Sequence, residues 1–359
     1  MFTSFEAKNF RGFRDLIISE LNRVNLIAGV NNVGKTSLLE ALFVHCGAYN
    51  PELALTINAF RGIEEVKVEY QKSAEFPWNS LFNLFDAKQI IELRSEHPTE
   101  GSRVLRLREV TPNQVLVGTK KGERKSQYTE LSARARILRL EYEEEKRGGF
   151  YDLIFDPTDR QRVPFIRPTP PEPPFPAFFQ AARIRMPFGV EAELFGRLEI
   201  QKKEGDIIQF LKIIEPNLKS LTLVYTMGQP ILHGDLGRNR LLPLPIMGEG
   251  MVRLASLILR IANAPNGIVL IDEIENGLHH SIMPKLWGAI AKLARKYNTQ
   301  VFATTHSLEC IKAAHKAFSG ENTYDFRVHR LQSTKEGIQA TTYDQEDLET
   351  AIEIGLEVR

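Results

Sequence analysis

VNLIAGVNNVGKTSLLEALFVHCG, residues 24–47, decides the reading of this chain. Val24 to Gly29 is a short apolar run closed by glycine, the pattern of a buried parallel strand feeding a loop. Leu38, Leu39, Leu42, Phe43 and Cys46 then recur at helical spacing, and Gly47 supplies a stop. Between strand and helix, Gly29 to Thr36 satisfies the pattern G-x(4)-G-K-[ST]. That spacing has a mechanism. Small residues let successive backbone N–H groups wrap a phosphate, and the following helix points its N-terminus at the anion. Asn31, Asn32, Val33, Gly34, Lys35, Thr36 and Ser37 are therefore the candidate nucleotide contacts. Lys35 is placed to reach the terminal phosphate oxygens, and the Thr36 hydroxyl to hold Mg²⁺.

Three further stretches complete that chemistry. Gly267 to Glu273 (GIVLIDE) reads as a buried strand ending in two carboxylates. Asp272 is the candidate metal ligand, and Glu273 the base that orients and deprotonates water. Thr304-Thr305-His306-Ser307 follows another apolar strand; His306 is placed to sense a γ-phosphate, and Ser307 to cap the next helix. Met247-Gly248-Glu249-Gly250 precedes the helical pattern Glu249–Ala262, an anion cradle by the same dipole logic, which a second chain could fill. His279, His280, His315 and His329 have no such setting and read as surface or packing residues.

Outward from these motifs, strands alternate with helices to about Phe318 and end in a hairpin-like pair near Phe326 and Ile338. That order predicts a mostly parallel α/β sheet flanked by helices. From Glu64 to Glu145 the pattern changes to short alternating segments, among them Val66-Val68-Tyr70, IIELR, VLRLREV and LRLEYE, and predicts an antiparallel β subdomain. Eight of the 19 prolines fall between Pro157 and Pro176, read as a stiff polyproline II connector. Helical patterns near Glu191–Leu198 and Asp206–Ile214 lead through an extended region to Glu249. The expected division is 1–180 (first part of the core, β insertion and connector), 181–263 (helical lobe) and 264–359 (second part of the core).

The 359 residues can bury a core without staples, and 43% apolar with 25% charged excludes wholesale disorder. Forty-six basic against 45 acidic side chains give a net charge of +1, which argues against a globally basic nucleic-acid coat. Local patches remain: Lys120-Lys121-Gly122-Glu123-Arg124-Lys125, then Arg134, Arg136 and Arg139, are either solvated strand faces or a track for DNA phosphates. Cys46 and Cys310 are too few for a disulfide framework. A charged N-terminus and no run near ~18 apolar residues point to a cytoplasmic chain without a membrane partner.

Taken in order, KNFRGFRDL, GVNNVGKTSLLEALF, MGEGMVRLASLILR, LIDEIENGLHHS and FATTHS resemble the head of an ABC-type ATPase. The motif order as a whole is most similar to the OLD/RecF-like group of AAA ATPases. The form NNVGKT resembles the OLD-type phosphate loop, since SMC and RecF proteins usually carry Asn-Gly where this chain has Asn31-Asn32. The resemblance implies ATP and Mg²⁺ held between two heads of a head-to-tail homodimer. It makes Gly248, Glu249 and Gly250 a signature that touches the partner's nucleotide in trans. It makes Asn276, Gly277, Leu278 and His279 a D-loop, His306 a switch histidine, and Gln180 a Q-loop candidate for a metal or water contact. The implied function is an ATPase that regulates a partner in anti-phage defence or DNA maintenance. A RecF-like DNA-binding repair protein and a non-catalytic nucleotide-dependent scaffold are the alternatives. The signature serine is replaced by Gly248, which implies slow turnover, and Ile274 stands where the family commonly has proline. No Toprim nuclease follows within this chain, so the effector implied is a separately encoded, nuclease-type protein.

Overall fold

All five residues of Val24–Ala28 are buried, the condition of a strand covered on both faces. The computed structural model, which describes residues 1–61, 76–112, 131–145, 147–156, 164–182, 187–226, 228–355 and 358, shows what covers it. A hairpin (β1, Ser4–Phe10; β2, Phe13–Ile18) leads into that strand, β3, and then into helix α1, Lys35–Cys46. After α2 (Leu53–Ala59) come β4 (Ile91–His97), β5 (Gly101–Val110), β6 (Arg136–Glu144), β7 (Arg147–Phe155), β8 (Phe165–Arg167) and β9 (Ala177–Gln180). The next region holds α3 (Phe188–Ile200), α4 (Glu204–Leu211), three strands β10 (Ser220–Thr226), β11 (Gln229–Asp235) and β12 (Leu242–Pro243), and α5 (Glu249–Ala262). The chain continues through β13 (Ile268–Ile271), α6 (Met283–Tyr297), β14 (Gln300–Thr304) and α7 (Leu308–Ser319). A hairpin, β15 (Phe326–Thr334) and β16 (Gly337–Tyr343), and helix α8 (Gln345–Glu353) end the order.

Six strands form the central sheet in the order β16-β15-β3-β14-β13-β9. All its neighbours are parallel except the edge strand β16, which returns antiparallel on β15. The alternating side chains of this sheet divide the molecule into two cores. Val24, Leu26, Ala28, Val269, Ile271, Val301 and Ala303 pack with the helical layer, against residues such as Leu254, Ile258, Leu286 and Trp287. Ile27, Ile268, Leu270 and Phe302 point the other way, to Leu38, Leu39 and Leu42 of α1 and to the second sheet. That second sheet is seven-stranded, β2-β1-β4-β5-β6-β7-β8, and antiparallel throughout. Helix α1, with the phosphate-loop glycines at its head, thus lies in the core between the two sheets. Among the described residues no helix is long and apolar enough to cross a membrane.

Several expectations are corrected. The proline-rich stretch is not polyproline II throughout: Phe165–Arg167 adds to the antiparallel sheet through Asp152↔Arg167, Leu153↔Ile166 and Ile154↔Phe165. Those residues precede Pro168 and keep their N–H groups for the ladder. The region expected to be extended before Glu249 is extended, and pairs into a three-stranded antiparallel sheet, β10-β11-β12. Of the basic cluster, Arg139 is no phosphate contact. It is buried, with Nε and one Nη donating to Asp152 at 2.7 and 2.8 Å, and its guanidinium lies over Phe150. Arg136 pairs with Glu109 at 2.5 Å, while Arg134 is exposed. Arg106 lies between Glu92 and Glu143, and Arg108 pairs with Glu141. Arg106, Arg108 and Arg139 share one face of the sheet, and cross-strand pairs neutralise each of them. Lys120–Lys125 and Val66-Val68-Tyr70 lie outside the described residues.

Candidate nucleotide-binding site

The phosphate-binding motif and its partners gather where ligands of α/β sheets gather, outside the carboxyl ends of the parallel strands. The Gly29–Gly34 loop follows β3, Gln180 ends β9, Asp272 follows β13, and His306 follows β14 by two residues. The loop closes so tightly that its glycines are steric requirements. Gly29 has φ +149, and a Cβ there would sit 2.7 Å from the Leu331 carbonyl oxygen and 2.8 Å from Val33 Cγ1. Gly34 has φ +102 with Phe13 at 2.8 Å from its would-be Cβ. Asn32 takes a left-handed φ of +63, which asparagine tolerates better than most residues. Val33 is buried and anchors the loop, leaving Asn31 and Asn32 exposed.

Lys35, the first residue of α1, folds its side chain back over the loop and donates to the Gly29 and Val30 carbonyls at 2.6 and 2.9 Å. Burial lowers its pKa, opposed by the charges of Asp272, Glu273 and Glu275. Thr36 Oγ1 lies 3.2 Å from both carboxylate oxygens of Asp272, residues separated by most of the chain. A hydroxyl against a carboxylate is a hard-oxygen pair, the donor set Mg²⁺ takes when it shares its shell with phosphates and water. Among the described residues no three His, Cys, Asp or Glu side chains converge on a point, so the fit is to a shared Mg²⁺ rather than a caged metal. Burial pushes the Asp272 carboxyl above its ordinary range, against the pull of the Thr304 and Thr36 hydroxyls. A cation there would relieve that cost.

Glu273 follows in a left-handed turn, φ +47, a conformation costing a non-glycine residue about 1–3 kcal/mol. Its neighbours hold it there. Glu273 N–H donates to Thr304 Oγ1 at 2.8 Å, and Asn276 Nδ2 donates to Glu273 Oε2 at 2.5 Å. Arg253 Nη2 donates to the carbonyls of both Asp272 and Glu273, at 2.8 and 2.6 Å. The Asp272 N–H donates to the Gln180 carbonyl at 2.9 Å, which sets Gln180 beside the acidic turn. Gln180 Oε1 is itself buried without a hydrogen-bond partner among the described residues, so it is free for a metal or water.

His306 is exposed, with Nδ1 3.3 Å from Glu275 Oε1, an arrangement that leaves Nε2 available to a phosphate. Glu275 Oε1 also accepts from Thr305 Oγ1 at 2.8 Å and from the His306 N–H at 3.0 Å. The signature segment sits at the exposed head of α5. Gly248 has φ +112 with open space where its Cβ would be. Gly250 packs on the segment Gly277-Leu278 of the same chain: a Cβ there would meet the Gly277 carbonyl oxygen at 3.1 Å and Leu278 at 3.5 Å. Ser307 caps α7, accepting from the Cys310 N–H at 3.2 Å.

Sequence reasoning missed Thr304, Glu275 and Arg253. It also missed Arg61, whose Nη2 donates to Ser37 Oγ at 3.1 Å while its Nε donates to the fully buried Glu40 at 2.7 Å. Arg253 carried a signal: a cation set among the apolar residues Met251, Val252, Leu254 and Ala255 of a helix needs acceptors within reach.

Fold and site together define a P-loop NTPase fold that resembles the head of an ABC-type ATPase. The family model described as "AAA domain, putative AbiEii toxin, Type IV TA system" matches residues 24–311, and the chain belongs to that family. It is similar to an "ATP/GTP phosphatase" of Helicobacter pylori, 21% identical over 373 residues that cover 97% of each chain. Its fold resembles the SMC head bound to the C-terminal winged-helix domain of ScpA, at TM-score 0.50 and 10% identity over 98% of this chain and 99% of that one. A Pyrococcus furiosus SMC head with an extended coiled coil, bound to the C-terminal domain of ScpA, matches at TM-score 0.50 and 9% identity, over 98% of both chains.

Proposed function

We propose that the chain hydrolyses ATP with Mg²⁺, dimerises head to tail on ATP, and uses that closure to regulate a separately encoded effector in anti-phage defence or DNA maintenance. The observation that carries the catalytic part is the meeting of Thr36 with Asp272 beneath the phosphate loop, with Glu273 as the next residue. ATP and Mg²⁺ supply the phosphoanhydride and the charge that screens it. The backbone of Asn31–Gly34 and the Lys35 ammonium bind the phosphates, with Ser37 at the inner end of the loop. Thr36 and Asp272 hold the metal, with Gln180 beside them. Glu273 takes a proton from the attacking water, and His306 contacts the terminal phosphate.

The dimer part is supported by the open head of α5. Gly248, Glu249 and Gly250 offer backbone N–H groups at a helix N-terminus, suited to the γ-phosphate bound at the partner's Lys35. Asn276, Gly277 and Leu278 would carry that contact inward, since Gly250 packs on Gly277 and Asn276 holds Glu273. A second reading, a nucleotide-dependent scaffold with negligible turnover, is favoured by the glycine at 248, where no hydroxyl reaches the nucleotide. The paired Arg136 and Arg139 give no support to a DNA track.

Light scattering on Glu273→Gln, with and without ATP–Mg²⁺, tests the reading. A monomer that becomes a dimer only with ATP supports the sandwich. A mass that stays monomeric refutes it, and a burst without steady-state hydrolysis in the unsubstituted chain selects the scaffold.

A further inference from the structure

Thr304 ends β14, and its neighbour Ala303 pairs in register with Ile271, the last residue of β13. That register sets Thr304 alongside the turn Asp272–Ile274, where it makes three hydrogen bonds to three successive residues. Its hydroxyl donates to Asp272 Oδ1 at 2.7 Å and accepts from the Glu273 N–H at 2.8 Å. Its carbonyl accepts from the Ile274 N–H at 3.0 Å. The residue is fully buried, and its hydroxyl spends its one proton on Asp272. Packing alone does not call for that hydroxyl: valine has the same branched shape and is at least as good a strand former. What needs it is the turn. Glu273 sits at φ +47, a geometry that holds only where the surroundings over-determine it, and its N–H would otherwise have no partner. Asp272, one residue earlier, must present its carboxylate in a fixed direction if it is to share a metal with Thr36.

We propose that Thr304 is a positioning residue which, through a single hydroxyl, fixes both the metal-directed carboxylate of Asp272 and the backbone of the base Glu273. The inference rests on the ATPase reading for its catalytic half. Its metal half concerns Asp272 alone and can be read without turnover. Thr304 is fully buried, with its hydroxyl spent on Asp272 and Glu273. It acts through the two acids, so losing it should affect metal affinity and chemistry while leaving nucleotide capture to Lys35 and the loop.

The test compares the full chain with Thr304→Val, which keeps the shape, and Thr304→Ser, which keeps the hydroxyl. Binding of a fluorescent ATP analogue is titrated against Mg²⁺, and kcat and KM are measured separately. Partners at one remove from a metal are worth about 10–100-fold in metal affinity or activity. Thr304→Val should therefore need roughly tenfold more Mg²⁺ and lose ~10-fold or more in kcat. Metal-free nucleotide binding and KM should stay within about twofold, and Thr304→Ser should recover most of both losses. If Thr304→Val does not fold, Thr304→Cys, similar in size with a weak donor, takes its place against Thr304→Ser. Unchanged Mg²⁺ dependence and kcat in the valine variant would overturn the proposal, as would a serine variant that falls as far as valine. A wild-type chain without Lys35- and Glu273-dependent hydrolysis would sink the catalytic half with the ATPase reading, while the Mg²⁺ titration would still decide the hold on Asp272.

Discussion

Replacing Arg253 with methionine removes the link between α5 and the acidic turn while keeping most of the side chain's apolar stem. The guanidinium donates to the carbonyls of Asp272 and Glu273 at 2.8 and 2.6 Å, and more weakly to Ala182 at 3.3 Å. Hydrogen bonds from charged donors contribute ~1.5–3 kcal/mol each, and a buried carbonyl left unpaired costs ~1–3 kcal/mol. Against this stands the relief of desolvation, which lowers the pKa of Arg253 despite four nearby carboxylates, those of Asp272, Glu273, Glu275 and Glu249. Two short bonds lost, offset by that relief, leave a destabilisation of about 2–4 kcal/mol. At roughly 2 °C per kcal/mol for a chain of this size, thermal unfolding should fall by about 4–8 °C. The turn would also relax from its left-handed geometry, and misplacing a catalytic group by ~1 Å can cost ~10²-fold in rate. Paired melting and steady-state assays check both effects. Arg253→Lys should fall between, since one ammonium can bridge two of the carbonyls. A methionine variant that melts within a degree of wild type would refute the energetic argument. One that melts lower yet turns over normally would refute the link to the base.

Three further outcomes follow from the site. Lys35→Ala should weaken nucleotide binding by ~10²-fold or more, through lost charge-assisted bonds to phosphate; tight ATP–Mg²⁺ binding by equilibrium fluorescence would contradict the loop assignment. Glu273→Gln keeps an oxygen to accept from Asn276, so it should bind nucleotide normally yet hydrolyse at least ~10²-fold slower in a phosphate-release assay. Asp272→Asn should raise the melting temperature of the nucleotide-free chain while abolishing Mg²⁺-dependent binding. The sign follows from burial: a carboxyl whose folded pKa is raised binds protons more readily in the folded state, so stability falls as pH rises from the unfolded to the folded value. The amide removes that loss, and melting curves of the two proteins should converge at low pH.

How much of this was legible depended on the range of the interactions. The phosphate loop and the α5 pattern are local in sequence, and strand and helix appear where Val24–Gly29 and Glu249–Ala262 predict them. The antiparallel sheet was legible from alternation at IIELR, VLRLREV and LRLEYE. Arg139 misled because a charged residue on a strand is usually a solvated one. Here its register partner is Asp152, which takes two bonds from the guanidinium while Phe150 lies against it, and the pair is buried. Helix α8 was missed although Asp344 and Asp347 form a reciprocal capping box and Leu348 and Ala351 are buried at helical spacing, since nine residues leave that spacing too few turns to repeat. Thr304 and Arg253 were missed for a different reason. Their partners stand 32 and 19 residues away, brought near by strand order and helix packing that no local pattern encodes.

That strand order also places the acidic turn where all three layers touch it. Asp272 and Glu273 leave the sheet that separates the two cores, and each layer puts one side chain on them. Thr36 comes from α1 in the core between the sheets, Arg253 from α5 in the helical layer, and Thr304 from the sheet itself. Packed layers are close to rigid, so a shift of α5 relative to α1 cannot be absorbed within either core and falls on the bonds that span them. The head of α5 carries the glycines proposed to meet a second chain's nucleotide, and Arg253 lies one turn further along the same helix. An event at Gly248–Gly250 would therefore pull directly on the carbonyls of Asp272 and Glu273. The residue type most tolerant of such a pull, glycine at 273, would lack the carboxylate that the proposed base requires. A glutamate held at positive φ by three neighbouring side chains, one of them on α5, is then a geometry whose support depends on where α5 sits.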